Sequence, residues 1–425
     1  MTTSIHTNEE ILASILIQIT IVIMVARVAG AAAARLGQPR AVGEIVAGLL
    51  LGPSLFGYFF PDLSATLFPT DAAQTMWMIA QIGLILLMFQ IGSDFEFGHL
   101  RRNEHSRAVA MVATASISVP LVTGFLIGHA SAPILAPAVD PLAFSLFTAV
   151  AMAITAVPIL GRILAEYGLT RTPVGVIAIT AAATNDVIGW IILAIVSAIV
   201  AAGFSAGAFS IQIAGLIMLM VVLWLVGRPL ASWLVTRFPD NNGQMSPVLI
   251  AAVVGLMFMA GVVTQKLGIF TIFGGFLIGL LFHSHVAFVE TWRRTIGQFV
   301  LVFFLPIFFT LTGLRTNMLG LDTPSEWMWC AVLFAASVAS KIIPVYFAAR
   351  FAGMPRDEAT ALGVLMNTRA LMELIVLNIG LSMGVLPQDV FTMLVIMAVG
   401  TTVMTGPLLN LIPFAARSRV PNVAA

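Results

Sequence analysis

Charge is scarce in this chain. Of its 425 residues only 9% are Asp, Glu, Lys or Arg, against 60% hydrophobic. Soluble domains run to about a quarter charged, so a fold built around one water-facing core is excluded. One cysteine, Cys330, is all the chain has, which rules out an internal disulfide. A formal net charge of +1, with no basic or acidic tail, offers nothing to hold nucleic acid. No glycine-rich P-loop is present, so ATP is not expected to drive anything here. The histidines are no better placed: His99, His105, His283 and His285 fall in expected inner loops, and His283 and His285 lack the cysteine or acidic company that would suit a metal. No cofactor or resident metal is expected. An intramembrane aspartyl protease would need a second mid-span aspartate, and only Asp186 qualifies. The chain is not expected to be an enzyme. Its short polar lead, without a small-residue cleavage site, is not read as a signal peptide.

What the chain has in abundance is apolar runs of the roughly 20 residues that cross a bilayer. Thirteen are expected, at about 11–34, 41–60, 74–92, 107–129, 141–164, 173–203, 208–227, 246–265, 269–283, 295–314, 327–349, 358–380 and 389–413. The fold class is therefore an all-α polytopic membrane protein, and a single transmembrane domain with no soluble regulatory domain is expected. Basic residues orient it, because cytoplasmic loops carry the excess of Lys and Arg. With the N-terminus outside and the C-terminus in the cytoplasm, 15 of the 20 basic residues fall in inner loops and only Lys266 and Arg315 in outer ones. Arg27, Lys341 and Arg369 remain inside spans.

The chain also repeats itself. "RLGQPRAVGEIVAGLLLG" (35–52) aligns with "KLGIFTIFGGFLIGLLFH" (266–283), placing Gly37 on Gly268, Gly43 on Gly274 and Gly48 on Gly279 at one offset of 231. "LMFQIGSD" (87–94) resembles "FFTLTGLR" (308–315), with Gly92 over Gly313. Matched spans lie seven apart, an odd number, so the halves are expected to be inverted repeats, approximately 11–203 and 246–413, with 208–227 linking them. Such repeats are common in secondary transporters. The patterns "GLLLG" (48–52) and "GFLIG" (275–279) permit close helix approach, within the bundle or between subunits.

Polar residues in the spans mark a site. In "FTAVAMAITAVPILG", Pro158 lacks an N–H and crowds the carbonyl of Ile154, so this helix is expected to open near Thr155. Seven spans later, "VLMNTRALMELIVLNIG" carries Asn367, Thr368, Arg369, Glu373 and Asn378, a costly polar load for one span. Arg369 and Glu373, four apart, share a helix face and can pair. Two opened helices at matching positions would bring four half-helix ends to the membrane centre, their dipoles neutralised by Arg369 and Glu373 while freed carbonyls face a cation. Asp186 sits mid-span in "AAATNDVIGWIILA", where an aspartate costs about 2.5–3.5 kcal/mol and asks for a reason. Asn185 beside it is a weaker signal, since a helical asparagine often bonds to a neighbouring helix. Lys341, one of two lysines, lies more than two turns inside its span, and an Asp186–Lys341 pair would stabilise both charges when no cation is bound.

These stretches, with "LGQPRAVGEIVAGLLLGPS", resemble the second branch of the cation:proton antiporter superfamily, with Kef-type potassium transporters and plant cation/proton exchangers nearest. The resemblance covers roughly residues 10–413. It implies thirteen helices, two of them broken and crossing, arranged as a core and a dimerisation domain, and hence a homodimer. It implies that Asp186 is the essential carboxylate, preceded here by Asn185, that Lys341 is the basic residue before the second crossing, and that Glu373 is the acid of the second broken helix. Kef-type chains continue into a nucleotide-binding domain whereas this one stops soon after its last span, which leaves a separate regulatory subunit open. The implied function is antiport of K+ or Na+ against H+ across the cell membrane, with Asp186, Asn185, Thr155 and main-chain carbonyls holding the cation and Lys341, Arg369 and Glu373 compensating charge. A sodium-coupled organic anion symporter of similar fold is the alternative within transporters; a cation channel or a membrane sensor are alternatives from other classes.

Overall fold

The computed structural model describes residues 2–38, 40–94, 106–155, 157–170, 172–201, 206–239, 244–369 and 371–413. Of the expected inner-loop residues, His99, Arg101, Arg102, His105, Arg171, Arg417 and Arg419 lie outside the described ones. The elements are helices: α1 (Thr2–Arg35), α2 (Arg40–Leu51), α3 (Phe56–Phe59), α4 (Pro61–Leu67), α5 (Thr70–Ser93), α6 (Ser106–Leu135), α7 (Pro141–Ala153), α8 (Val157–Glu166), α9 (Pro173–Ala201), α10 (Ala206–Val222), α11 (Arg228–Arg237), α12 (Pro247–Lys266), α13 (Thr271–Phe282), α14 (Val286–Trp292), α15 (Leu305–Leu314), α16 (Pro324–Phe351), α17 (Arg356–Met366), α18 (Leu371–Ser382) and α19 (Gln388–Asn410). Single π-helical turns join α10 to α11 and recur between α14 and α15.

Eleven helical segments among the described residues are long and apolar enough to cross a membrane, and the protein is multi-pass. The other two of the thirteen expected spans correspond to shorter helices. The stretch 141–164 is divided into α7 and α8, and 269–283 is the 12-residue α13, about 18 Å long at 1.5 Å per residue. The chain forms two compact units. One comprises Met1–Ile23, Thr66–Gly98 and Ala194–Leu311; the other comprises Met24–Ala65, His99–Leu193 and Thr312–Ala425.

Local chemistry explains why the helices start where they do. Asp140 caps α7, its carboxylate accepting from the N–H groups of Leu142 and Ala143 at 2.9 Å each, with Pro141 at the first helical position. Thr323 and Glu326 form a capping box at the start of α16.

The repeated stretches fold alike. Gly37 and Gly268 both turn the chain at positive φ, 73° and 75°, the left-handed conformation that closes a helix C-terminus and suits glycine. The hydrogen bonds match as well: Gln38 N–H to Ala33 O at 2.9 Å, and Ile269 N–H to Thr264 O at 3.0 Å. In the second unit a Cβ added to Gly313 would lie 2.0 Å from the Gly48 carbonyl carbon; in the first, one added to Gly279 would lie 2.2 Å from the Phe89 carbonyl oxygen and 3.0 Å from Gly92 Cα. Each unit thus contains helix crossings in which backbone meets backbone at glycines that the repeat aligned. The small-residue patterns serve contacts inside the chain.

Gly313→Ala should accordingly destabilise the protein by roughly 1–3 kcal/mol, the usual cost of overpacking. Gly255, with open space around it, is the control. Thermal melting of the detergent-solubilised protein should fall for the first substitution and hold for the second; equal melting of the two would contradict the crossing.

Candidate functional site

The site lies in the second unit, where two helices are interrupted. Between α7 and α8, Ile154 and Thr155 leave helical geometry, Ile154 with an extended ψ of 146°. Between α17 and α18 the same happens at Asn367, Thr368 and Arg369. Each interruption exposes half-helix ends inside an apolar bundle, where unsatisfied backbone groups are costly.

The C-terminal end of α7 accounts for all four of its orphan carbonyls. Val150 O accepts from the Ile154 N–H at 3.3 Å. Ala151 O and Met152 O accept from Arg369 Nη1 and Nη2 at 3.0 and 2.7 Å. Ala153 O accepts from Lys341 Nζ at 2.6 Å. Lys341 also donates to Ser116 O at 2.8 Å and to Thr155 Oγ1 at 2.7 Å, which fills its three donors. The Thr155 hydroxyl lies 3.5 Å from Met366 O at the end of α17, so a residue of the first break reaches the carbonyl end of the second. Two cations therefore cap the negative end of one half-helix dipole.

Carboxylates stand at the opposite ends. Glu373 occupies the first turn of α18 and lies 3.6 Å from Arg369 Nη1, an ion pair longer than a hydrogen bond, with both groups fully buried. Asp186, only 3% exposed, faces the backbone N–H of Val157, first residue of α8. Neither Asp186 oxygen has a hydrogen bond within 3.5 Å among the described residues. Lys341 is within electrostatic reach of Asp186, Arg369 and Glu373, making one buried cluster of two acids and two bases.

Two expectations change. Lys341 forms no direct ion pair with Asp186, because its three protons go to the oxygens of α6, α7 and Thr155. The carbonyls freed at the end of α7 do not face a cation site, because Arg369 and Lys341 occupy them. Asn185 turns to α6: with its amide oriented so that both ends are satisfied, it donates to Ala113 O at 3.1 Å and Ala181 O at 3.2 Å, and it accepts from the Ser116 hydroxyl. A cavity of 380 Å³ lies between α6 and α9, lined by Ala113, Ile117, Thr184 and Ile188 among others, so Ala113 borders it and takes the Asn185 amide. Ser116 is the residue that reading the sequence missed. Its signal was Pro120, which removes the helical donor to Ser116 O.

Arg369 supports two carbonyls as well as Glu373, so the two partners are not equivalent. Arg369→Met should lower the melting temperature more than Glu373→Gln, each leaving a buried group unpaired at a cost of about 3–5 kcal/mol. The double variant should lose less than the two losses added together. Strict additivity in thermal melts would show that the residues do not interact.

A family model of the transmembrane sodium/hydrogen exchangers matches residues 21–412. The chain is 36% identical over 399 residues to the Na(+)/H(+) antiporter NhaS4 of Synechocystis, covering 93% of this chain and 96% of the relative. It is 33% identical over 401 residues to Cation/H(+) antiporter 17 of Arabidopsis thaliana, covering 94% of this chain and 48% of that protein, so it spans about half the length of this plant relative. It is 28% identical to K(+)/H(+) antiporter 1 of Saccharomyces cerevisiae, over 88% of this chain and 43% of the relative. Among solved structures, the sodium proton antiporter MjNhaP1 of Methanocaldococcus jannaschii matches with a TM-score of 0.68 at 14% identity, covering 97% of this chain and 100% of that one, a likeness of fold. With its family model matched over nearly the whole sequence, the chain belongs to the transmembrane sodium/hydrogen exchanger family.

Proposed function

We propose that this protein is a secondary antiporter exchanging a monovalent cation, Na+ or K+, for H+, with Asp186 as the group for which the two ions compete. One observation carries the reading: a buried aspartate beside a broken helix has both oxygens without a hydrogen-bond partner, while the nearest lysine spends its protons elsewhere. A buried acceptor in that condition is costly until something binds it. A proton or a monovalent cation satisfies it, and one displaces the other. Thr155 and Asn185 act around the carboxylate: Thr155 can join the cation's ligands when Lys341 shifts, and Asn185 pins the aspartate's turn of α9 against α6. Lys341, Arg369 and Glu373 balance charge. The names of the relatives, which include Na(+)/H(+), K(+)/H(+) and Cation/H(+) antiporters, support the reaction class and leave both cations in play.

With Asp186 and Glu373 ionised against charged Lys341 and Arg369, the cluster by itself is formally neutral, and a monovalent cation or a proton bound at Asp186 adds the same single charge. If the site moves only when Asp186 holds one ion or the other, exchange is obligatory, and because the two loads carry equal charge it is one-for-one. The halves are inverted repeats in this reading, supported by the matched glycine turns and crossings. The N-terminus is outside and the C-terminus cytoplasmic, supported by the distribution of arginines, and the protein resides in the cell membrane. A homodimer is supported by the segment Ser210–Arg237, which buries none of its most apolar window within the chain. Control by a separate regulatory subunit, which the resemblance to Kef-type chains leaves open, remains part of the proposal.

In proteoliposomes with an internal pH dye, added Na+, K+ or Rb+ should drive proton movement, and Asp186→Asn should abolish it while the protein still inserts and melts cooperatively. Retained exchange in that variant would remove Asp186 from the mechanism. Clamping the membrane potential with valinomycin, in a sodium-driven assay at fixed potassium, should leave the rate unchanged. A clear acceleration under an imposed potential would mean that Lys341 carries a second proton.

A further inference from the structure

Proline inside a helix removes one backbone donor and opens the turn before it. Pro120 lies inside α6, so the carbonyl that loses its partner is that of Ser116, four residues earlier. This is the α6 carbonyl that Lys341 Nζ meets at 2.8 Å. The hydroxyl of the same Ser116 meets the amide of Asn185, next to Asp186 on α9. Through its backbone Ser116 holds the lysine; through its side chain it holds the aspartate's neighbour. The chain uses this device elsewhere. Pro407 in α19 frees the carbonyl of Val403, and the Gln38 amide takes it at 3.2 Å.

We propose that Ser116 and Pro120 form a latch that keeps the Lys341 ammonium on α6 and off Asp186, and so sets the affinity for the transported cation. Pro120 is a positioning residue: it touches no ion, and it acts by leaving an acceptor that only a side chain can fill. The inference rests on the antiport reading and specifies what regulates competition at its site. Restoring an N–H at position 120 returns the Ser116 carbonyl to the helix. Lys341 then shares that acceptor with a helical N–H, is held less tightly on α6 and turns to the unpaired carboxylate of Asp186, where it competes with the cation.

The test uses the full-length protein in proteoliposomes and in detergent, as wild type, Pro120→Ala, Lys341→Gln and the double variant. The apparent KM for Na+ or K+ should rise about tenfold in Pro120→Ala, the scale of one charge-assisted hydrogen bond, with a smaller effect on the maximal rate. In the Lys341→Gln background the proline substitution should leave KM where that background sets it. The rise in melting temperature on adding cation should shrink in Pro120→Ala and follow the same dependence on Lys341. Pro120→Gly also restores the N–H and should behave in the same way, which provides the measurement if the alanine variant is not recovered folded. A KM that rises equally without Lys341, or a loss confined to maximal rate and melting temperature, overturns the latch. If the wild type neither exchanges cations nor is stabilised by them, the antiport reading falls first; if it does both and Pro120→Ala matches it, the latch alone falls.

Discussion

Four carbonyls at the end of α7 constrain the rest of the site. A helix that stops inside an apolar bundle leaves them without donors, and no water stands in for the missing N–H groups as it would at a surface. Here the Ile154 N–H takes one, Arg369 two and Lys341 one. Two buried cations are thereby fixed by backbone, and two buried acids follow, since unpaired charge at that depth is not tolerated. Glu373 answers Arg369 directly. Asp186 answers at longer range, facing the opposite, positive end of the break at Val157.

That assignment bears on how an ion is held. Carbonyls at an opened helix are often the ligands of a transported cation, but those of α7 are taken by side chains. Under the proposed exchange the burden falls on the Asp186 carboxylate, whose charge must be matched by a cation or cancelled by a proton. Among the described residues neither acid has a hydrogen bond, but Glu373 has the Arg369 ion pair and Asp186 has none. The Thr155 hydroxyl, accepting from Lys341 and directed toward Met366 O, links the two breaks.

The glycine crossings show the same economy in each unit. Gly48 with Gly313, and Gly279 with Gly92, bring backbones to distances that a methyl group would prevent. Lipid offers little hydrophobic drive between helices, so close backbone packing is what holds such pairs. The π-helical turns, at 223–227, 293–297 and 300–304, all fall in the first unit.

Membrane spans, the glycine repeat, the break at Thr155 and the buried charges of Asp186, Lys341, Arg369 and Glu373 could be read from the sequence, because breaks and mid-span charges are departures from an apolar background that cost free energy locally. A mid-span charge is visible without knowing its partner. What tertiary structure decided was partnership. That Lys341 reaches Ser116, Ala153 and Thr155 rather than Asp186, that Arg369 spans two carbonyls of α7, and that Asn185 serves α6 depend on contacts across 69 to 225 residues of chain. That α13 has only 12 residues was likewise not legible in hydropathy. Sequence fixes which groups are too expensive to leave alone in an apolar interior; only the folded chain determines which donor comes near enough to satisfy which acceptor.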